Sequence, residues 1–108
     1  MNNPAAVPEI TNEDYWFKVV DFLQHNWAVI QPCEHDGCPV YFFGDTSGIF
    51  DILNFLNQTE AEIALKRNGF KRYADDSEAQ QFIAKPRGPF EMRNHPNGPI
   101  YSSGRFWR

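Results

Sequence analysis

Between Glu13 and Asn26 the apolar side chains recur at a spacing that suits a helix. At about 100° per residue, Tyr15, Trp16, Val19, Val20, Phe22 and Leu23 fall on one arc. Asp14, Lys18, Asp21, Gln24 and His25 fall on the other. This pattern predicts an amphipathic helix laid on a core, capped by Thr11 or Asn12, with Glu13 and Asp14 in its first turn. Phe17 is the misfit, because it projects from the polar arc.

The pattern then changes. Ala28 to Cys33 and Val40 to Phe43 read as strands around the turn Glu34-His35-Asp36-Gly37, and Pro32 marks the first as an edge or its end. Val40-Tyr41-Phe42-Phe43 is continuous and apolar, as in a strand buried on both faces. Gly44-Asp45-Thr46-Ser47-Gly48 is a turn cluster, and Ile49 to Phe55 reads as a third strand, although a helix also accommodates those residues.

Thr59 and Glu62 form a capping box that opens a helix running to Asn68. Gly69 supplies the left-handed residue after it, and Phe70 the apolar contact that accompanies such a cap. Phe70 to Tyr73 is a short strand. Asp76 or Ser77 caps a further helix carrying Ala79, Phe82 and Ile83 on one side, and Pro86 stops it. His95-Pro96-Asn97-Gly98 is the turn of a final hairpin with strands Phe90 to Asn94 and Ile100 to Trp107.

The expected class is α+β. It is a small single domain with a mostly antiparallel sheet and about three helices, in the order α-β-β-β-α-(β)-α-β-β. Residues 1–10, with two prolines, read as a flexible N-terminal arm, and residues 11–108 as the domain.

Composition sharpens this in two ways. Ten Phe, four Tyr and three Trp make 16 % of the chain aromatic, which suits a dense core, an exposed binding face or both. The net charge of −4 is uneven: residues 1–58 hold eight acids against Lys18 alone, and residues 59–108 hold six acids against nine bases. That asymmetry fits two halves attracting each other in the fold, or a bipolar surface that favours association. The chain has no apolar run long enough for a membrane span and no signal-peptide pattern at its start, so a soluble, cytoplasmic protein is expected.

Few residues offer chemistry. Cys33, His35 and Cys38 lie within six residues, and with Asp36 or His95 they invite a zinc reading; Asp45 adds a carboxylate for a small enzyme. The spacing matches no common zinc knuckle, so the two cysteines read as a facing pair at a hairpin mouth, near disulfide distance and with redox pairing as an alternative, but with no disulfide expected in a reducing compartment and with neither metal nor cofactor. Gly44 to Gly48 resembles the Asp-Thr-Gly loop of aspartic proteases over those residues alone. Ser47 stands where glycine should follow Thr46, and a hairpin turn accounts for the same residues.

The C-terminal strand is the most suggestive surface. Alternation sends Tyr101, Arg105 and Trp107 to one face, with Arg93 nearby. Arg and aromatics together characterise protein hot spots, and they also suit single-stranded nucleic acid, which the net acidity disfavours. The expected function is a non-enzymatic interaction module that contacts a protein partner or itself, as a homodimer, through Arg93, Tyr101, Arg105 and Trp107. A nucleic-acid binder on the same face is one alternative. An enzyme or metal protein built on Cys33, His35, Cys38 and Asp45 is the other.

Overall fold

The segment expected to be the first helix is a β-hairpin. Strand β1 runs Tyr15–Asp21 and strand β2 Gln24–Ile30, paired antiparallel with Phe17 opposite Trp27. The computed structural model describes residues 10, 12–21, 24–35, 37–88 and 90–92. The physical reason for the correction lies in Tyr15, Trp16 and Phe17, all three of which are buried. Consecutive apolar residues reach opposite faces of a strand covered on both sides, whereas a helix cannot bury all three against one core. Phe17 is thus not a misfit but the first sign of a two-sided sheet.

Strand β3 covers Cys38–Phe43 and strand β4 Gly48–Phe55, as the apolar run and the turn cluster indicated. Helix α1 follows at Gln58–Arg67, strand β5 at Lys71–Arg72, a 3-10 turn at Tyr73–Asp75, helix α2 at Ser77–Phe82 and strand β6 at Glu91–Met92. The sheet order is β5-β1-β2-β3-β4-β6, antiparallel except for the pairing of β4 with β6. The class is therefore α+β, with two helices among the described residues in place of the expected three. Of the expected C-terminal hairpin, only Glu91 and Met92 are described as strand, and they pair in parallel with Gly48 and Ile49. Among the described residues no helix is long and apolar enough to cross a membrane.

Each face of the sheet carries its own core. Trp16, Ala28, Val40 and Phe42 pack with Ala61 and Leu65 of α1 and with Phe70. On the opposite face Phe17, Trp27, Phe43 and Ile49 pack with Ala79 and Phe90, with Tyr73 and Ile83 at the margin. Fully burying a side chain of this size stabilises by about 1.5–3 kcal/mol, so these two layers dominate the fold.

The helix ends show how local sequence fixes the layers. Helix α1 is capped by Asn57, whose side chain accepts from the Glu60 amide at 2.9 Å, and not by Thr59. At its other end Gly69 has φ +91°, with Phe70 N donating to Leu65 O at 2.9 Å and Gly69 N to Lys66 O at 3.1 Å. This is the expected left-handed cap, and it drops Phe70 into the core beside Leu65. An added Cβ at Gly69 meets nothing closer than Lys18 Cε at 3.5 Å, so the cost of Gly69→Ala is conformational. Denaturant titration should show a loss of about 1 kcal/mol; an unmoved midpoint would mean that the cap contributes nothing.

Helix α2 is capped by Asp76, which accepts from the Ala79 amide at 3.0 Å. Its apolar side differs from expectation: Ala79 is buried, but Phe82 is 78 % exposed. The helix stops at Phe82, and Ile83 reaches the core margin through extended backbone (φ −124°, ψ 121°). Phe82, on the last helical residue, is left facing outward.

Candidate functional site

The residues singled out from sequence separate in space. Arg93, Tyr101, Arg105 and Trp107 lie outside the described residues, as do Asp36 and His95. Cys33 and His35 sit in the connection between β2 and β3 and Cys38 opens β3, whereas Asp45 sits in the turn between β3 and β4. Those two connections are at opposite ends of β3. At about 3.3 Å per residue, the six residues of that strand keep Asp45 roughly 20 Å from the cysteines. The Cys33, His35, Cys38 and Asp45 constellation is not assembled.

Asp45 has a different occupation. Phe43 pairs with Trp27, and carrying that register two residues further sets Asp45 opposite His25. Its carboxylate accepts from His25 N at 2.9 Å and from Trp27 Nε1 at 2.8 Å, with His25 Nδ1 3.0 Å away. One carboxylate thus fastens the β3–β4 turn to the start of β2. The turn closes with Ser47 N donating to Gly44 O and Gly44 N to Gly48 O, both at 3.0 Å. Ser47 takes the left-handed position (φ 68°) that glycine usually fills. Ser47 is buried; its hydroxyl donates to Arg87 O, and its carbonyl accepts from Glu91 N at 3.2 Å. The turn that resembled a catalytic loop is a fastening point for β2 and for the segment leading into β6.

Cys33 and Cys38 are joined by a disulfide, with Cα atoms 4.1 Å apart, so the expectation of an unbridged pair is corrected. The cause is the tight reversal between them. Glu34 N donates to Gly37 O and Gly37 N to Glu34 O, both at 2.9 Å, which brings the flanking residues together. Among the described residues, no three His, Cys, Asp or Glu side chains converge as a metal site would require.

Among the described residues, grooves open on the side of the sheet covered by α2, and two of them bear on function. One, of about 470 Å³, lies between α2 and the stretch of β1 that runs past β5. Phe17, Ala79 and Ile83 lie in it, and Val19 and Phe82 flank it, 60 % and 78 % exposed. Its rim carries Lys18 and Lys71 together with Asp76 and Glu78. The sequence signal for this groove was present in Phe82, but the helical arc put that side chain on one side with Ala79 and Ile83 and did not mark it as exposed.

The second groove, of about 580 Å³, is lined by Glu13, Tyr15, Lys85, Arg87 and Phe90. Lys85 Nζ donates to Glu13 O at 3.1 Å and lies 4.8 Å from the Tyr15 ring centre. Burial, followed by the charge of Glu13, raises the pKa of the Tyr15 phenol above its ordinary value. This ammonium-on-ring contact secures the chain after α2 to the start of β1.

No protein-family model matches this chain, and neither does any curated protein or solved structure.

Proposed function

We propose that this chain is a small interaction module that binds a second copy of itself. In this reading the C-terminal segment carrying Arg93, Tyr101, Arg105 and Trp107 reaches, in a neighbouring copy, the groove between β1 and α2. The observation that carries the reading is that groove, where Phe82 and Val19 are left exposed beside an apolar floor. Side chains of this kind, gathered at one place, characterise contact surfaces.

Charge supports the choice of occupant. All fourteen acids of the chain precede residue 93, against seven bases, whereas residues 93–108 hold three arginines and no acid. The segment also carries Tyr101, Phe106 and Trp107. A cationic, aromatic segment complements an anionic body with an apolar groove, and such complementarity steers encounter as well as register.

Sedimentation of three proteins at low and high salt tests the reading. The wild type should associate, and more weakly as salt rises. Arg105→Glu on one partner surface and Phe82→Ser on the other should each weaken association by more than about 1 kcal/mol, while thermal stability moves by no more than about 0.5 kcal/mol. A wild type that stays monomeric at every concentration overturns self-association. Loss with Arg105→Glu but not with Phe82→Ser would place the contact elsewhere on the body. Salt-sensitive binding of an oligonucleotide, lost in Arg105→Glu, would replace this reading with nucleic-acid binding.

A further inference from the structure

We propose that the Cys33–Cys38 disulfide is a thiol–disulfide exchange site of fixed polarity, at which a small thiol from solvent attacks Cys33 and Cys38 resolves the adduct. The argument starts from the unequal surroundings of the two sulfurs. Cys33 is exposed, whereas Cys38 is 0 % exposed and belongs to the core layer beneath α1. Phe55 and Leu53 pack against that same layer, and Phe55 pairs with Cys38 across the β3–β4 ladder.

Exchange requires the attacking sulfur to approach along the line of the bond it breaks, from behind the sulfur it attacks. For Cys33 that approach comes from solvent. For Cys38 it would have to come through packed side chains. Access therefore selects Cys33 as the entry sulfur.

The electron bookkeeping closes. The thiolate pair forms a new S–S bond to Cys33 Sγ, and the pair of the broken bond departs on Cys38 Sγ, which takes a proton from water. Two routes follow. Cys38 returns to Cys33 Sγ and expels the small thiol, restoring the starting state with no net oxidation. Alternatively, a second small thiol attacks the adduct at the small-molecule sulfur. The products are then a small-molecule disulfide and two protein thiols, with two electrons passed to the protein. The hydrogen bonds between Glu34 and Gly37 hold the two cysteines together throughout, and a thiolate among apolar groups is poorly solvated. Return of Cys38 is thus the favoured route, and the adduct on Cys33 is short-lived.

The test uses glutathione disulfide as the probe and intact mass as the readout. Cys38→Ser, which removes the resolving sulfur, should accumulate one glutathione on Cys33. Cys33→Ser should stay unmodified, or react slower by at least about tenfold. The reduced wild type should pass to the internal disulfide without a stable adduct. Equal rates in the two variants would show that burial does not set the polarity, and a wild-type adduct that persists would show that Cys38 does not resolve it. Cys38→Ala provides the same trap if serine disturbs the core. A parallel measurement needs no variant: briefly treating the oxidised wild type with glutathione and quenching with a maleimide should place glutathione on Cys33 and maleimide on Cys38. The reverse assignment overturns the proposal.

Discussion

Asp45→Ala should lower stability by about 2 kcal/mol, the largest effect expected from any single polar side chain described here. Hydrogen bonds to a charged partner contribute about 1.5–3 kcal/mol, and a buried donor left without a partner costs about 1–3 kcal/mol. Asp45 accepts from Trp27 Nε1, and Trp27 is completely buried, so once the carboxylate is gone the indole N–H depends on water entering the space left by the exposed Asp45 side chain. The His25 amide loses its acceptor as well. Asp45→Asn keeps an oxygen for Trp27 but turns an amide N–H₂ toward the donors of His25, and its midpoint should fall between those of wild type and alanine. Urea titration of all three proteins checks this. An alanine variant as stable as the wild type would show that the carboxylate does not fasten the turn.

The second large effect is expected at Gly37, for two independent reasons. Its φ of +125° is a conformation that residues with a Cβ rarely adopt. A Cβ built there would also lie 2.6 Å from Phe55 O and 2.7 Å from Asn54 Nδ2. The amide side chain can move aside, but the Phe55 carbonyl belongs to β4 and cannot. Backbone strain of about 1–3 kcal/mol therefore adds to a steric conflict, and Gly37→Ala should cost about 3 kcal/mol or more. For a domain of this size that lowers the melting temperature by roughly 10 °C or more. Gly69→Ala is the internal control, since the space there is open and only the conformational part applies. Equal melting temperatures for the two variants would mean that the turn yields readily.

Much of the second half of the fold was legible in the sequence because its signals are local. Gly69 and Phe70 close α1 and Asp76 opens α2, each through bonds within a few residues, and the turn from Gly44 to Gly48 was legible for the same reason. The first half misled because a strand buried on both faces has no alternation, so Tyr15 to Val20 satisfied a helical arc equally well. Val19 and Val20, which are β-branched, together with three aromatics in a row, were the available signal for a strand. The site followed the same division. Asp45 was visible as a turn residue, but its contact with His25 and Trp27 depends on β2 beginning at Gln24 and pairing with β3, which the helical reading of that stretch excluded. Phe82 needed a helix end placed to within one residue, which an apolar arc cannot supply.

The order of strands in the sheet also bears on how the molecule assembles and comes apart. Strands β1 to β4 are neighbours both in sequence and in the sheet, so their pairing closes only short loops. Among the described residues the outermost strands are β5, Lys71–Arg72, and β6, Glu91–Met92, which arrive from far along the chain to meet β1 and β4. Loop closure makes such distant pairings the later ones to form, and the two-residue ladder of β5 on β1 is the first to open. The central meander is a nucleus with two latches. The groove beside α2 adjoins the β5 latch, so the body's proposed contact surface lies where the sheet yields most readily.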